Sequence, residues 1–332
     1  MNKNLSLKIF GKNSLKIVEE PLREIKDGEV LIKVIACGLC ASDLKVIEGK
    51  KEAKIGITLG HEIVGEIVES KNEMVKEKKV VSVFPSVVCR NCYSCNKGYY
   101  NLCRSKKSLG YYLDGGFARY VVVPREIVEI GGLIEIEGIP EILGAIIEPV
   151  GCVINSLKAI GIQDIENLLI VGAGSLGLFH LIIANSYKKR VAIVDHNEDR
   201  LNLARELGAR NTLSSIKGVE ERYDAIVLTA PAYDEVSTIL ELLNERGKLN
   251  IFAGSRIDTI NLPIKSFHYH ERTITGTHST TPEYMKEGVE VIKNNPTSFQ
   301  KVITHIFKLS KWKDAIRYYK TRKAVKILIT PD

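Results

Sequence analysis

The feature that most constrains the fold of this 332-residue chain is the stretch ENLLIVGAGSLGLFHLIIA, residues 166–184. An apolar pattern typical of a buried strand leads into three glycines, and an apolar pattern typical of a helix follows them. Glycines at this spacing permit a tight turn, a close approach of backbone to a pyrophosphate, and close packing of helix on strand. The stretch therefore predicts a dinucleotide-binding strand–turn–helix unit. The residues predicted to contact the cofactor in this turn are Gly172, Gly174, Ser175, Leu176 and Gly177.

The next apolar strand, VAIVD, ends in Asp195, eighteen residues after Gly177. A carboxylate at this place accepts hydrogen bonds from the adenosine ribose and repels a 2′-phosphate. Its neighbours His196 and Asn197 offer no strong cation, although Arg200 follows a helical turn later. We therefore expect Asp195 and Arg200 to lie at the cofactor, and we favour NAD over NADP.

Strand and helix patterns alternate from about residue 150 onward. The strand patterns LLIVGAG, VAIVD, DAIVLTA and KLNIFAG are separated by helical patterns such as NEDRLNLARELGA and VSTILELLNERG, and SFHYHERT has the alternation of a strand. This rhythm predicts a doubly wound parallel sheet of the Rossmann type. Residues 1–125 instead contain short β-branched runs broken by turn signals, which predict a barrel-like β domain. We expect an α/β protein with domains at 1–149 and 150–277, and a C-terminal segment, 278–332, that returns to the first domain.

Composition bounds the classes of partner. The chain is 45% apolar and 26% charged, with a net charge of +7, and its lysines and glutamates are interspersed. Mixed charge of this kind argues against a nucleic-acid surface. The N-terminus lacks the apolar core of a signal peptide, so reduced thiols and a cytoplasmic location are expected. We expect neither a nucleic acid nor a membrane as a partner.

Four of the seven cysteines lie within fifteen residues, in the loop 87–104. They are Cys89, Cys92, Cys95 and Cys103. Four thiolates in a short loop suit tetrahedral zinc, and an all-cysteine site leaves no position for a substrate. Two disulfides or an iron–sulfur cluster are the alternatives. The loop therefore predicts a structural zinc site, so the chemistry has to lie elsewhere.

A second group of metal-binding residue types occurs in CGLCASD (37–43) and GHE (60–62). Cys40 and His61 are good zinc ligands, and Glu62 or Glu148 could complete a site with an open position. Taken singly, Cys37 and Cys40 could instead be a redox pair, and His61 a core residue.

These stretches together resemble the zinc-dependent medium-chain dehydrogenases. GLCASD, GHEIVGEIVE, the four-cysteine loop, DGGFARYVVVP, EPVG and VGAGSLG stand in the order of that family. The resemblance implies a GroES-like β-barrel catalytic domain beside the Rossmann domain. It also implies one catalytic and one structural zinc ion per chain. The family is commonly dimeric or tetrameric, so a homodimer or homotetramer is expected.

The resemblance also implies roles for individual residues. Cys40 and His61 would hold the catalytic zinc, with Glu62 or Glu148 as the acidic ligand. Ser42 would pass the proton of the substrate toward solvent. Lys326 would contact the pyrophosphate of the cofactor. Glu148 and Arg119 are similar to the polyol, or sorbitol-type, branch of the family.

One position departs from the family. Lys45 stands where many members carry a relay histidine. The relay could end in water, the lysine could assist it, or the lysine could meet an acidic group of the substrate. The departure counts against a threonine dehydrogenase.

The sequence thus predicts a zinc-dependent oxidoreductase acting on a secondary alcohol, with a polyol or sugar-derived alcohol as the small-molecule substrate. Two other classes stay open: a zinc- and nucleotide-binding relative without turnover, and a nucleic-acid binder that uses the four-cysteine loop as a zinc ribbon, against which the mixed charge speaks. Within the enzyme class, a simple secondary-alcohol or amino-alcohol dehydrogenase is the alternative.

Overall fold

The computed structural model describes residues 3–254 and 257–332, so the two residues that begin the predicted first domain lie outside it. The strands are β1 (Lys3–Ile9), β2 (Leu15–Pro21), β3 (Val30–Leu39), β4 (Glu62–Ser70), β5 (Val80–Val83), β6 (Ser86–Val87), β7 (Lys107–Ser108), β8 (Tyr120–Val123), β9 (Leu133–Glu135), β10 (Asn167–Val171), β11 (Arg190–Val194), β12 (Asn211–Leu213), β13 (Tyr223–Leu228), β14 (Leu243–Ile251), β15 (Thr273–Gly276), β16 (Ile303–Lys308) and β17 (Lys326–Thr330).

The helices are α1 (Ala41–Ile47), α2 (Tyr93–Asn96), α3 (Arg125–Glu129), α4 (Ile147–Ala159), α5 (Ser175–Ser186), α6 (Glu198–Glu206), α7 (Val236–Glu241), α8 (Ile264–His270), α9 (Pro282–Asn294), α10 (Pro296–Val302) and α11 (Trp312–Lys320). Short 3₁₀ segments lie at Tyr100–Leu102, Glu141–Ile146, Ile162–Asp164, Ile216–Gly218, Tyr233–Glu235 and Leu309–Lys311.

The chain forms two compact units. The first comprises Met1–Gly151 and Thr280–Asp332, and the second comprises Cys152–Ser279. The C-terminal segment therefore belongs to the same unit as the N-terminal half.

The first unit is built on a seven-stranded sheet in the order β16-β17-β3-β4-β5-β9, with β8 also paired to β3. Strand β3 is the central element, because it pairs antiparallel with β17, β4 and β8. Its side chains are nearly all buried, as expected of a strand covered on both faces. The core beneath it combines residues from both ends of the chain, Ile32 and Ile63 with Ile327. This packing fixes β17 beside the strand that leads to Cys40.

The second unit contains a six-stranded sheet in the order β12-β11-β10-β13-β14-β15. All of its pairings are parallel. The chain moves outward from β10 to β12, then returns to the other side of β10 for β13 to β15. The strand order thus reverses between β10 and β13, and a crevice at the carboxyl ends of such strands is the usual ligand position. The doubly wound sheet predicted from the sequence is confirmed.

Two local predictions were wrong. The pattern VSTILELLNERG, 236–247, predicted one helix, but α7 ends at Glu241 and β14 begins at Leu243. Arg246 has a positive φ of 60°, which a helix interior does not tolerate. SFHYHERT predicted a strand with His268 and His270 on one face, whereas these histidines lie in the last turn of helix α8. A period of two over so few residues does not separate strand from helix.

Among the described residues, one helical run, 141–159, is long and apolar enough to cross a membrane by length and composition, and 78% of its most apolar window is buried inside the protein. This degree of burial is that of a core helix.

Candidate active site and metal centres

The pairing of β3 with β4 brings the predicted metal ligands together. Gly38, near the end of β3, lies opposite Glu62 at the start of β4. Cys40 follows β3 as the N-cap of α1, and His61 precedes β4. Because β3 and β4 are antiparallel neighbours, the two residues meet where β3 ends and β4 begins. Ligand atoms of Cys40, His61 and Glu62 all lie within 4.8 Å of one another. A thiolate, an imidazole and a carboxylate at this spacing suit a zinc ion.

Two buried groups hold the ring of His61. The Nδ1 atom lies 3.4 Å from Oδ1 of Asp43 and 3.3 Å from the hydroxyl of Tyr111. The other carboxylate oxygen of Asp43 accepts a hydrogen bond from the Cys40 amide at 2.9 Å. Contacts on Nδ1 fix the ring and leave Nε2 for a metal, which is the usual arrangement of a metal-binding histidine. Burial lowers the pKa of His61, but the Asp43 carboxylate and Cys40 together raise it well above its ordinary value. Asp43 and Cys40 thus lie around the imidazole as groups that favour a positive charge there.

Glu62 is buried and bound by a cation. Its carboxylate forms an ion pair with the ammonium of Lys326, which also donates to the Leu39 carbonyl at 3.4 Å. Gly38 provides the space, because a Cβ there would lie 1.8 Å from a carboxylate oxygen of Glu62. The structure shows Lys326 buried in contact with Glu62, and the contact with the cofactor pyrophosphate that the resemblance implies for Lys326 stays a prediction. The contact with Glu62 arises because β17 pairs with β3, so its first residue points into the metal cluster.

Glu148, near the start of α4, is also buried, at 7% exposure. Among the described residues, its carboxylate is not one of those that cluster within reach of a single ion with Cys40 and His61. Its charge nevertheless acts on the same region, because it raises the pKa of both Tyr111 and Lys51. The structure thus groups Glu62 with the metal ligands and places Glu148 close to them.

Ser42 lies in a short chain of hydroxyl groups. It accepts a hydrogen bond from the Tyr111 hydroxyl at 2.7 Å, and that hydroxyl also approaches His61. Burial, followed by the charge of Asp43, raises the pKa of Tyr111, so the phenol stays protonated as a donor. A hydroxyl network beside an open metal position can receive and pass on a proton. Sequence reasoning gave no role to Asp43 or Tyr111. Asp43 could have been found from its place three residues after Cys40, as in a capping box.

The four clustered cysteines also lie together. Their sulfur atoms are all within 4.8 Å of one another, and all four thiols are free. Cys92 caps α2, Cys95 lies inside it, and Cys103 follows the 3₁₀ turn Tyr100–Leu102. The amide of Cys95 donates to the sulfur of Cys92 and lowers the pKa of that thiol to about 6. Burial raises the pKa of Cys95 to about 12, so the thiolate forms more readily at Cys92 than at Cys95, and a tetrahedral zinc ion would hold all four sulfurs as thiolates.

The glycine turn has the predicted form. Strand β10 ends at Val171, and α5 begins at Ser175 with Gly174 as its N-cap. Gly172 has a φ of 109°, a conformation that other residues rarely adopt. A Cβ on Gly177 would lie 1.9 Å from the Gly172 carbonyl oxygen, whereas a Cβ on Gly174 would meet no atom within 4 Å. The turn therefore packs tightly on one side and leaves an open cradle at Gly174, which fits a dinucleotide pyrophosphate.

Asp195 follows β11 and is tied to the same turn. It accepts hydrogen bonds from the Ala173 amide at 2.7 Å and from the Asn197 amide at 2.9 Å. An Nη of Arg200 lies 3.9 Å from its carboxylate. An ionised carboxylate has about four lone-pair positions, and the two backbone amides take two of them.

The described residues thus provide two clusters suited to zinc and a cradle suited to a dinucleotide, which together define a metal-dependent, nucleotide-dependent oxidoreductase. Family models agree. The model described as alcohol dehydrogenase GroES-like domain matches residues 26–131, and the model described as zinc-binding dehydrogenase matches residues 175–294. The chain belongs to the family of zinc-dependent medium-chain dehydrogenases.

Individual relatives match over nearly the whole chain. Sorbitol dehydrogenase of Halalkalibacterium halodurans is 26% identical, with 97% of each chain covered. D-arabitol-phosphate dehydrogenase of Enterococcus avium is 26% identical, covering 98% of this chain and 97% of its own. The solved structure of galactitol-1-phosphate dehydrogenase from Escherichia coli has a TM-score of 0.88 at 26% identity, covering 98% of this chain and 100% of its own.

Proposed function

We propose that the protein is a zinc-dependent dehydrogenase that transfers a hydride between NAD and a secondary alcohol, with a polyol or sugar-derived alcohol as substrate. The observation that carries the proposal is the cluster of Cys40, His61 and Glu62 in a chain that also has the nucleotide-binding turn. When bound, zinc supplies a Lewis acid for the alcohol oxygen, and NAD supplies the hydride acceptor.

The chain itself positions the groups around these ligands. Cys40, His61 and an acidic residue, Glu62 or Glu148, would hold the catalytic zinc. Ser42, fixed by the Tyr111 hydroxyl, would take up the substrate proton. Proton transfer by a positioned group contributes about 10²–10⁴-fold to a rate.

A second zinc ion would be structural, bound by the cysteines of the loop 87–104. Four thiolates would fill the tetrahedral coordination of zinc and leave no position for a substrate. The binding energy of the ion would stabilise the loop.

NAD is the proposed cofactor in preference to NADP. Its contacts would come from the turn Gly172–Gly177, from Asp195 and from Arg200. The carboxylate of Asp195 is buried and held by two backbone amides, so it stays in place as an acceptor for ribose hydroxyls. A 2′-phosphate beside it would meet a like charge. An Nη of Arg200 lies 3.9 Å from that carboxylate.

The names of the relatives support the substrate class. They include enzymes for sorbitol, D-altritol and D-arabitol phosphate. These substrates share a chain of secondary hydroxyl groups. We also propose a cytoplasmic location, where thiols stay reduced, and a homodimer or homotetramer, the common assemblies of this family.

A substrate panel followed by NADH absorbance tests the proposal, with wild type beside Cys40→Ser. We expect wild type to hold about two zinc ions per chain and Cys40→Ser about one, with turnover reduced at least ~100-fold. Cys152→Ser is the matched control, because Cys152 lies in the other unit, and it should keep full turnover. Full activity of Cys40→Ser, or no turnover of any alcohol by zinc-loaded wild type, would contradict the proposal.

A further inference from the structure

Two lysines stand beside the proposed active site, and the proposed proton path through Ser42 uses neither. Lys45 lies in α1, five residues after Cys40, and is half-buried. Lys51 follows the end of α1. The segment after the helix folds back, because the amides of Lys50 and Lys51 donate to the Lys45 carbonyl at 2.7 and 3.1 Å. The fold thus places Lys51 next to Lys45 and on the side of the metal cluster.

The ammonium of Lys51 lies over an aromatic ring of the site. It is 3.6 Å from the ring centroid of Tyr111, whose hydroxyl donates to Ser42. A cation over an aromatic face is attracted by the ring and held in position. Lys51 is therefore one side chain away from the hydroxyl proposed to take up the substrate proton.

Neither lysine has a carboxylate to bind. Within residues 3–254 and 257–332, Lys45 and Lys51 form no ion pair, whereas Lys50 between them pairs with Glu48. Burial lowers the pKa of Lys51, and the charge of Lys45 lowers it further, while the charges of Cys40, Asp43 and Glu148 raise it. Zinc would neutralise part of that negative charge. Half-buried Lys45 and exposed Lys51 are thus two neighbouring ammonium groups close to the metal cluster, and neither forms an ion pair among the described residues.

We infer that the substrate of this enzyme is a polyol with a terminal anionic group, a phosphate or a carboxylate, which Lys51 binds together with Lys45. The inference rests on the proposed dehydrogenase function and names the substrate class for that same site. A neutral polyol would leave both ammonium groups unpaired. A phosphate brings a charge of about −1.5 to −2 and three acceptor oxygens, so it can pair with both lysines at once.

The test compares matched substrates on zinc-loaded enzyme: xylitol with xylitol 5-phosphate, and sorbitol with sorbitol 6-phosphate and gluconate. We expect kcat/KM to be at least ~10-fold higher for an anionic member than for its neutral partner. Lys51→Gln should remove that preference through KM, so that the ratio of kcat/KM between anionic and neutral members falls to about one, and Lys45→Gln should reduce the ratio. Lys50→Gln is the control, because its ammonium already pairs with Glu48.

The comparison of sorbitol 6-phosphate with gluconate shows whether the enzyme prefers a phosphate ester or a carboxylate as the anionic group. Equal use of neutral and anionic polyols, or an equal effect of Lys51→Gln on both, would overturn the inference while leaving the dehydrogenase assignment intact. If no alcohol is oxidised, calorimetric titration with xylitol and xylitol 5-phosphate still tests the inference. Tighter binding of xylitol 5-phosphate than of xylitol, with the difference lost in Lys51→Gln, supports it. Equal binding of the two, or no binding of either, overturns it.

Discussion

Tyr111 connects three parts of the site through one side chain. Its hydroxyl donates to Ser42 and approaches His61, and its ring face carries the ammonium of Lys51. Because the phenol is buried and its pKa is raised, it acts as a fixed donor and not as an acid. Its role is to position Ser42 and the imidazole.

Removal of that hydroxyl should slow the reaction and leave the metal in place. We expect Tyr111→Phe to lower kcat roughly tenfold, since one lost hydrogen bond of about 1.4 kcal/mol corresponds to that factor. Zinc content should not change, because none of the proposed metal ligands is altered. Steady-state kinetics with metal analysis check this, and Tyr112→Phe, at the exposed neighbouring residue, is the control. Equal loss in both variants would count against a specific role for Tyr111.

His180 gives a prediction about pH. The residue is fully buried in α5, where Nε2 contacts the Ser156 hydroxyl at 2.9 Å and Nδ1 contacts the Leu176 carbonyl at 2.8 Å. Burial lowers the pKa of His180 from 6.5 to about 4. As the pH falls below 6.5, the unfolded chain therefore binds this proton and the folded protein does not. The folded protein therefore loses stability as the pH falls from 6.5 to 4, and below pH 4 this loss levels off. The total loss is up to about 3 kcal/mol, at about 1.4 kcal/mol per pKa unit.

His180→Gln removes this titration while keeping a polar side chain. We expect the Tm advantage of wild type over the variant to shrink as the pH falls from 7 to 4. Comparison of the two proteins in identical buffers cancels the contribution of the zinc-binding thiols, which are shared. A Tm difference that stays constant over this range would contradict the low pKa.

Sequence alone could predict the ligands of the site but not the groups that hold them. Cys40, His61 and the four clustered cysteines carry their chemistry in their residue types and spacing. Tyr111 is fifty residues from His61, and their contact depends on tertiary packing that no local pattern encodes. Lys326 is further still from Glu62, and only the pairing of β17 with β3 shows that they meet. For such residues the fold has to be known first.

At the scale of elements, patterns predicted the long, buried segments and failed at short ones. Strands β10, β11 and β13 are mostly apolar and buried, the pattern of a parallel sheet covered on both faces. The stretch LNERG, 243–247, is polar enough to read as a helix end. It became the start of β14 because Leu243 pairs with Tyr223, a long-range contact. Helix α8 has no buried residues, so its sequence pattern does not distinguish a helix from a strand.

The turn between β10 and α5 offers a matched pair of glycine substitutions. Gly177→Ala would place a methyl group 1.9 Å from the Gly172 carbonyl oxygen, so the turn must shift. We expect a loss of about 1–3 kcal/mol in stability, seen as a lower Tm. Gly174→Ala meets no atom within 4 Å, so its Tm should equal that of wild type.

The same pair separates folding from cofactor binding. The methyl group of Gly174→Ala would enter the space proposed for the pyrophosphate, so NADH affinity should fall at least ~10-fold in a protein of normal stability. Fluorescence titration with NADH measures this. Normal affinity in Gly174→Ala would show that the cradle is not the phosphate site.

At the scale of the whole molecule, metal and nucleotide chemistry belong to different units. All proposed zinc ligands lie in the unit that comprises Met1–Gly151 and Thr280–Asp332, and the glycine turn and Asp195 lie in Cys152–Ser279. Each unit has a hydrophobic core of its own. The free energy supplied by each ligand should therefore stabilise the unit that binds it.

Hydrogen exchange followed by mass spectrometry tests this division of roles. Zinc removal by a chelator should speed exchange in the loop 87–104 and around Cys40, because four-thiolate binding energy is folding energy for a loop with few core residues. Exchange in strands β10 to β14 should not change. NADH should slow exchange in the turn Gly172–Gly177 of wild type, and much less in Gly174→Ala. Faster exchange throughout Cys152–Ser279 on chelation would mean that zinc stabilises the nucleotide-binding unit as well, contrary to this division.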